Sequence, residues 1–402
     1  MSDDLMRAKK SRVNSQSIRS LELFTGAGGL ALGTHFAGFD HAALIEWNED
    51  ACRTLRENAA ARVLRGVETW DVIQGDVRQV KFSEFGHVDV ISGGPPCQPF
   101  SIGGKHSGMD DGRNMIPHYC RAIRELTPRA FIMENVKGLL RPRFETYFSY
   151  VLLSLSYPTI KPKADETWPD HLARLEKAHT SGNFSDLHYH VVFRLLNAAN
   201  YGVPQTRERV FIVGFRSDVG AEWKFPDETH DVKALLRDQY VTREYWERHG
   251  IKRPKVTPLP PNMRQLPLIE TDKPLQPWRT VRDALVGLPD PTKKRASSGL
   301  PNHHFVPGAR AYPGHTGSPL DLPAKTLKAG DHGVPGGENM IAFPDGSVRY
   351  FTVREAARMQ TFPDGWRFEG AWSEAMRQLG NAVPVDLARV IAASVAERLR
   401  AQ

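Results

Sequence analysis

Apolar and polar positions divide the chain into two textures. In the first half, short and nearly continuous apolar runs follow one another: RSLELF (19–24), HAALIEW (41–47), VDVISG (88–93), RAFIMEN (129–135), HVVFRLL (190–196) and RVFIVGF (209–215). Helical patterns such as NEDACRTLRENAA separate the early ones. Strands apolar on both faces, alternating with helices, predict a parallel, doubly wound α/β sheet. Beyond about residue 222 the periodicity breaks down, and residues 251–350 hold 16 of the 29 prolines. Loops and short edge strands are expected there. Helical spacing returns in TVREAARMQTF (352–362) and VPVDLARVIAASVAERLRAQ (383–402). The expected organisation is a flexible leader (1–18), an α/β body (19–222 plus 352–402) and a smaller loop-rich domain (223–351) inserted before the last helices. Residues 158–187 read as a charged helical insertion with no assigned role.

Charge sharpens this division. The net charge is +7, and residues 251–350 carry 14 Lys and Arg against 8 Asp and Glu, most of the surplus. A basic, proline-rich insert favours a polyanionic partner. No apolar run approaches the roughly 18 residues of a membrane helix, and the N-terminus lacks the apolar core of a signal peptide. A cytoplasmic protein with no membrane partner is expected. Three cysteines (Cys52, Cys97, Cys120) without a CxxC pair read as reduced thiols with no zinc site.

LFTGAGGLALG follows the first strand, and Gly26-Ala27-Gly28-Gly29-Leu30-Ala31 fits a G-x-G-x-x-G/A turn into a helix. Such a turn lets a ligand approach backbone at a helix N-terminus, although many strand-to-helix turns bind nothing. Glu46 ends the next strand, where an acid suits a ribose diol. Asp76 in QGDV ends a third, where adenine edges are met. Together they point to an adenosine-containing cofactor, with NAD and S-adenosylmethionine both open at this stage.

GGPPCQPFS (93–101) raises a different chemistry. Pro95, Pro96 and Pro99 exclude helix or central strand around Cys97. The loop follows VDVISG, at the carboxyl edge of the sheet, where α/β proteins place their chemistry. A thiol held there suits a nucleophile, whereas Cys52 and Cys120 lie in apolar helical patterns and read as core. Glu134 and Asn135 end the next strand, and Glu134 suits a general acid or a carboxyl that hydrogen-bonds a base. Arg207 and Arg209, at alternate positions in QTRER, are expected on one side of a strand as an anion clamp.

These segments resemble the bacterial DNA (cytosine-5) methyltransferases, as found in type II restriction–modification systems. FTGAGGL, EWN, GDV, GGPPCQPFS, ENV, QTRERVF, TVREAARMQTFPD and GNAVP occur in the family's order across residues 24 to 384. The one departure is Thr206, where the family often has arginine. The resemblance implies a Rossmann-like S-adenosylmethionine-dependent domain with a smaller target-recognition domain. Cys97 would add to C6 of a flipped-out cytosine, and Glu134 would hold N3 and the exocyclic amine. Arg207 would orient the base, and Arg209 would support the loop. Phe24, Gly26, Gly28, Gly29 and Leu30 would line the S-adenosylmethionine pocket. Glu46 would bind ribose, Trp47 would stack near adenine, and Asp76 with Val77 would meet the adenine edge. Asn381 and Val383 would close that pocket. Gln205 and Thr326 would face the DNA.

The partner implied is double-stranded DNA, with a cognate restriction endonuclease acting independently and the enzyme itself a monomer. The nearest rival is a tRNA cytosine-5 methyltransferase, disfavoured because those relatives have a small recognition region. A DNA-binding regulator on an inactive fold is disfavoured by the intact Cys97, Glu134, Arg207 and Arg209 set. An amino-methyltransferase is disfavoured because Cys97 stands where those carry an aromatic residue.

Overall fold

The computed structural model describes residues 17–96, 114–182, 186–220, 222–253, 275–291, 299–329 and 339–401. The body begins β1 (Ile18–Leu23), α1 (Gly29–Phe36), β2 (Phe39–Glu46), α2 (Glu49–Ala60), β3 (Val72–Gln74) and β4 (Val90–Gly93). It continues α3 (Ile116–Leu126), β5 (Ala130–Val136), α4 (Glu145–Ser156), α5 (Trp168–Ser181), β6 (Tyr189–Asn197) and β7 (Glu208–Arg216). Short elements follow: β8 (His230–Asp231), α6 (Val232–Arg237), α7 (Glu244–Arg248), β9 (Gln276–Pro277), α8 (Val281–Leu285), β10 (Ser318–Pro319), β11 (Met340–Ala342) and β12 (Val348–Tyr350). The chain ends in α9 (Val353–Met359), α10 (Trp372–Asn381) and α11 (Val385–Arg400).

The first seven strands form one sheet in the order β3-β2-β1-β4-β5-β7-β6. The expectation of an all-parallel sheet needs one correction, because β7 runs antiparallel to both β5 and β6. Only residues 198–207 join β6 to β7, which is too short for a helical crossover, so the chain must turn back on itself. The reversal has a consequence for the site. It brings the start of β7, with Arg209 opposite Val136, to the edge where β5 ends.

Helices cover both faces. Ile91, Phe131, Met133 and Ile212 pack with α3 and α4 on one face. Val90, Ile132, Phe211 and Val213 pack with Leu387, Ile391 and Val395 of α11 on the other. Trp372–Arg400 has the length and apolarity of a membrane span. It is two helices separated at Pro384: α11 covers this sheet with its apolar face, and α10 packs into the cluster around Trp366.

Residues 222 and 352 do not mark breaks in the core. Trp223 and Phe225 pack with the sheet cluster. Val281, Ala324, Leu327, Ile341 and Phe351 share one cluster with Ala27, Leu55, Trp366 and Leu379. Within the insertion expected at 158–187, α5 starts at a Thr167 cap whose side chain accepts from Asp170 N. His171 ties α5 to α4 by a 3.0 Å bond with Tyr150 Oη. Cys52 and Cys120 are buried, and burial pushes both thiols up to about 12.

Below the sheet edge, Glu22 of β1 is fully buried. Ser92 Oγ donates to its Oε2 at 2.9 Å, while Oε1 has no hydrogen-bond partner among the described residues. Burial pushes this carboxyl from its ordinary 4.5 up to about 8, against the lowering effect of Ser92 and the Ala31 backbone. Within that window the folded chain keeps a proton that the unfolded chain has released. Stability is therefore full below pH 4.5 and is lost as pH rises towards 8. Buried His41, lowered to about 4, acts oppositely but only below its ordinary 6.5. The urea midpoint is expected to fall between pH 6.5 and 8 in the wild type, and Glu22→Gln should flatten that decline.

Candidate active site

The sheet order reverses between β1 and β4, so the loops leaving these neighbouring strands splay apart and open a crevice at the carboxyl edge. One wall is the glycine turn. Phe24 takes φ +58°, a left-handed conformation costing a non-glycine residue about 1 kcal/mol. Gly26 follows at +56° and Gly28 at +94°. An added Cβ at Gly26 would meet nothing within 4 Å, so the turn faces open space there. Gly28 is different: a Cβ would come within 2.9 Å of Leu55 and 3.3 Å of Trp366.

The turn is fastened to the end of β2. Glu46 accepts from Gly26 N through Oε2 at 2.7 Å and from Asn48 N through Oε1 at 2.8 Å. Each oxygen keeps acceptor capacity, as a ribose diol requires. Trp47 beside it is 66% exposed, an unusual position for an indole. Asp76, after β3, accepts from Arg78 N at 2.9 Å and from Arg78 Nε at 2.7 Å. The Arg78 bond holds the Asp76 carboxyl below the usual range. The same guanidinium lies 5.8 Å from the centre of the Trp47 ring. Arg78 thus links two residues expected around adenine, and it escaped the sequence analysis because only contact reveals it.

The far end of the chain closes this wall. A Cβ on Gly29 would lie 2.2 Å from Val383 O, and one on Gly33 would lie 2.3 Å from Ala388 Cβ. The start of α1 therefore rests on the GNAVP backbone because both glycines lack side chains. The side chains of Leu30 and Val383 pack into the sheet core and that of Val77 into the opposite face. Any contact of these three with a cofactor would come from backbone. Asn381 is exposed at the end of α10. Gly29→Ala is expected to lower both the thermal midpoint and the affinity for S-adenosylhomocysteine, with a stability loss of roughly 1–3 kcal/mol. Calorimetric titration alongside thermal unfolding measures both.

The second wall is the edge of β4 and β5. Cys97 lies outside the described residues, as do Gln98 to Arg113. Its mount is visible up to Pro96. Asn135 Nδ2 donates to Pro95 O at 3.2 Å, so the second residue of Glu-Asn-Val grips the proline loop. Glu134 is 7% exposed, and its Oε2 would sit 3.0 Å from a Cβ on Gly94. Glu134 Oε1 lies 2.8 Å from Arg209 Nε. Burial pushes the Glu134 carboxyl above the usual range, and the nearby charges of Arg209 and then Arg207 only partly offset this. A carboxyl that keeps its proton more readily, yet sits in an ion pair, can exchange a proton with a ring nitrogen.

Three expectations change here. Arg207 and Arg209 do not form a clamp on one face: Arg207 precedes β7 and is fully buried. Its Nη1 donates to Leu327 O at 3.0 Å and its Nη2 to Gly380 O at 2.6 Å. Arg209, not Arg207, is the arginine on the Glu134 carboxyl. Gln205 does not face DNA, being fully buried, with Nε2 donating to Met359 O and Oε1 accepting from Leu327 N. Thr326 Oγ1 donates to Thr206 O at 2.7 Å. The alternating Gln-x-Arg spacing conveys none of this, because the segment is a loop seated against residues 324–328 rather than a strand.

A Rossmann-like sheet with a crevice at its topological switch point, beside a buried carboxyl–arginine pair, defines an α/β protein built to hold a ligand at the carboxyl edge of its sheet. The sequence profile of the C-5 cytosine-specific DNA methylases matches residues 18–157 and 171–397, and the chain belongs to that family. It is a DNA (cytosine-5) methyltransferase. The profile omits 158–170, the approach to α5 and its first turn. The type II methyltransferase M.Eco47II of Escherichia coli is 31% identical over 401 residues, covering 97% of this chain and 81% of that one. M.NgoMIV of Neisseria gonorrhoeae is 30% identical over 385 residues, covering 95% and 98%. Among solved structures, a DNA modification methyltransferase encoded within an E. coli prophage superposes with TM-score 0.55 at 22% identity, covering 95% of this chain and 99% of that one. Spodoptera frugiperda DNMT2 superposes with TM-score 0.54 at 16% identity, covering 95% and 99%. At those identities the likeness is one of fold.

Proposed function

We propose that this enzyme methylates cytosine C5 within a specific sequence of duplex DNA, as the methylase of a restriction–modification system. The observation that carries the site assignment is the Glu134–Arg209 pair beside a proline loop held by Asn135, one residue pair ahead of Cys97. The Cys97 thiolate adds to C6 of a flipped cytosine; the C5–C6 π pair shifts to C4–C5 and the C4–N3 π pair to N3, which takes a proton from Glu134. Arg209 holds the carboxyl in place and stabilises it once ionised. S-adenosylmethionine, when bound, supplies the methyl group to C5. Loss of the C5 proton to a base, followed by elimination of Cys97 as N3 returns its proton to Glu134, restores the ring, the thiolate and the carboxyl. Glu46 with the Gly26 turn would hold the ribose, and Trp47 with Asp76 the adenine. Thr326 would meet the DNA backbone, and residues 223–351 would supply recognition.

Incubation with labelled S-adenosylmethionine and either plasmid DNA or tRNA, followed by mapping of the modified base, tests this reading. Label at cytosine C5 of DNA is expected. Label on tRNA alone, or on adenine, would overturn it. The length of the insert at 223–351 favours DNA over tRNA, because the tRNA-modifying relatives have a small recognition region.

A further inference from the structure

Ahead of Thr326 lies an aromatic turn that neither the core nor the chemistry at Glu134 employs. In Tyr312-Pro313-Gly314-His315, proline presets the first corner and Gly314 takes φ +82° at the second, the φ pattern of a type II turn. Tyr312 N donates to His315 O at 3.3 Å, and His315 N donates to Tyr312 O at 2.8 Å. Their rings lie 4.3 Å apart, inclined by 31°. Yet Tyr312 is 52% exposed, and Pro313 and Gly314 are exposed with it. A ring pair fixed by its own backbone loses little conformational freedom on binding.

The turn is tied to the segment that borders the active site. Lys325 Nζ donates to Thr316 Oγ1 at 2.9 Å, and Lys325 N donates to Ser318 Oγ at 3.0 Å. Ala324, Thr326 and Leu327 in turn bond to residues 204–207, which lead directly into Arg209. The surroundings suit a polyanion. Across residues 299–328, Arg310, Lys325 and Lys328 are accompanied by a single carboxylate, Asp321. It is buried and paired with Arg282 at 2.6 Å.

We propose that Tyr312 and His315 read base edges in a DNA groove beside the target cytosine, and so set part of this enzyme's sequence specificity; this rests on the duplex-DNA reading above. A phenol hydroxyl and an imidazole both donate to and accept from base edges, and base contacts, unlike phosphate contacts, carry sequence information.

The wild-type chain is first used to map its site in plasmid DNA. Tyr312→Phe, Tyr312→Ala and His315→Ala are then assayed for kcat/KM on the cognate duplex and on duplexes altered at one base pair of the site. The cognate value is expected to fall about 10-fold or more, while one altered duplex falls far less, so that discrimination at that position collapses. Thermal midpoint and S-adenosylhomocysteine affinity should not move. A uniform fall on every duplex with a shallower salt dependence would assign the turn to phosphates and overturn the proposal, as would unchanged kinetics. Failure of the wild type to methylate DNA would instead overturn the duplex-DNA reading, and this proposal with it, before any variant is made.

Discussion

Cys97→Ala is expected to remove methyl transfer to DNA altogether, a loss of roughly 10⁴-fold or more, while thermal stability and S-adenosylhomocysteine affinity hold. Cytosine C5 is not nucleophilic enough to accept a methyl group until a thiolate has added at C6, so no slower route remains in the same site. The chain offers no substitute thiol. Cys52 and Cys120 are buried, and burial pushes both up to about 12, which leaves almost no thiolate near neutral pH. A duplex carrying 5-fluorocytosine at the target, which blocks loss of the C5 substituent, should trap a covalent complex with the wild type and none with Cys97→Ala or Cys97→Ser. Denaturing electrophoresis reads the adduct, and a trapped complex in either variant would assign the nucleophile elsewhere.

Strands proved legible in the sequence because burial on both faces leaves a run of apolar residues that few other elements produce. The six runs each fall within a residue or two of β1, β2, β4, β5, β6 and β7. Direction was not legible, because apolar content says nothing of the sense of β7; the short 198–207 connection does. The glycine turn could be located, but not which glycine serves what. Gly26 opens towards space, while Gly28, Gly29 and Gly33 make room for Leu55, Val383 and Ala388, partners supplied by distant parts of the chain. The least legible feature was the use of polar residues as internal braces. Asn135, Gln205 and Arg207 look like site chemistry in a sequence, since polar side chains are seldom fully buried. Each instead satisfies main-chain groups of loops and helix ends that no regular ladder pairs.

Arg207 supplies the sharpest consequence of that distinction. Its guanidinium joins three separate segments, the loop before β7, Leu327 next to Thr326 and Gly380 at the end of α10. Close packing surrounds that junction: a Cβ on Gly380 would lie 2.3 Å from Ala329 N. Arg207→Ala leaves two buried carbonyls without donors and a void the size of a guanidinium, at about 1–3 kcal/mol for each unmet group. A loss of roughly 3–5 kcal/mol is expected, a large share of the stability of an ordinary domain. Arg207→Lys should recover little, since one ammonium on a flexible stem does not reproduce a planar fork aimed at two carbonyls. Denaturant unfolding measures this, and the comparison with Arg209→Ala gives it meaning. Arg209 sits on a carboxyl at the edge of the crevice, so its loss should lower kcat and shift the pH profile of turnover, with less effect on the unfolding midpoint. An Arg207→Ala protein that folds normally and loses only salt-dependent DNA affinity would restore the phosphate clamp and remove the brace.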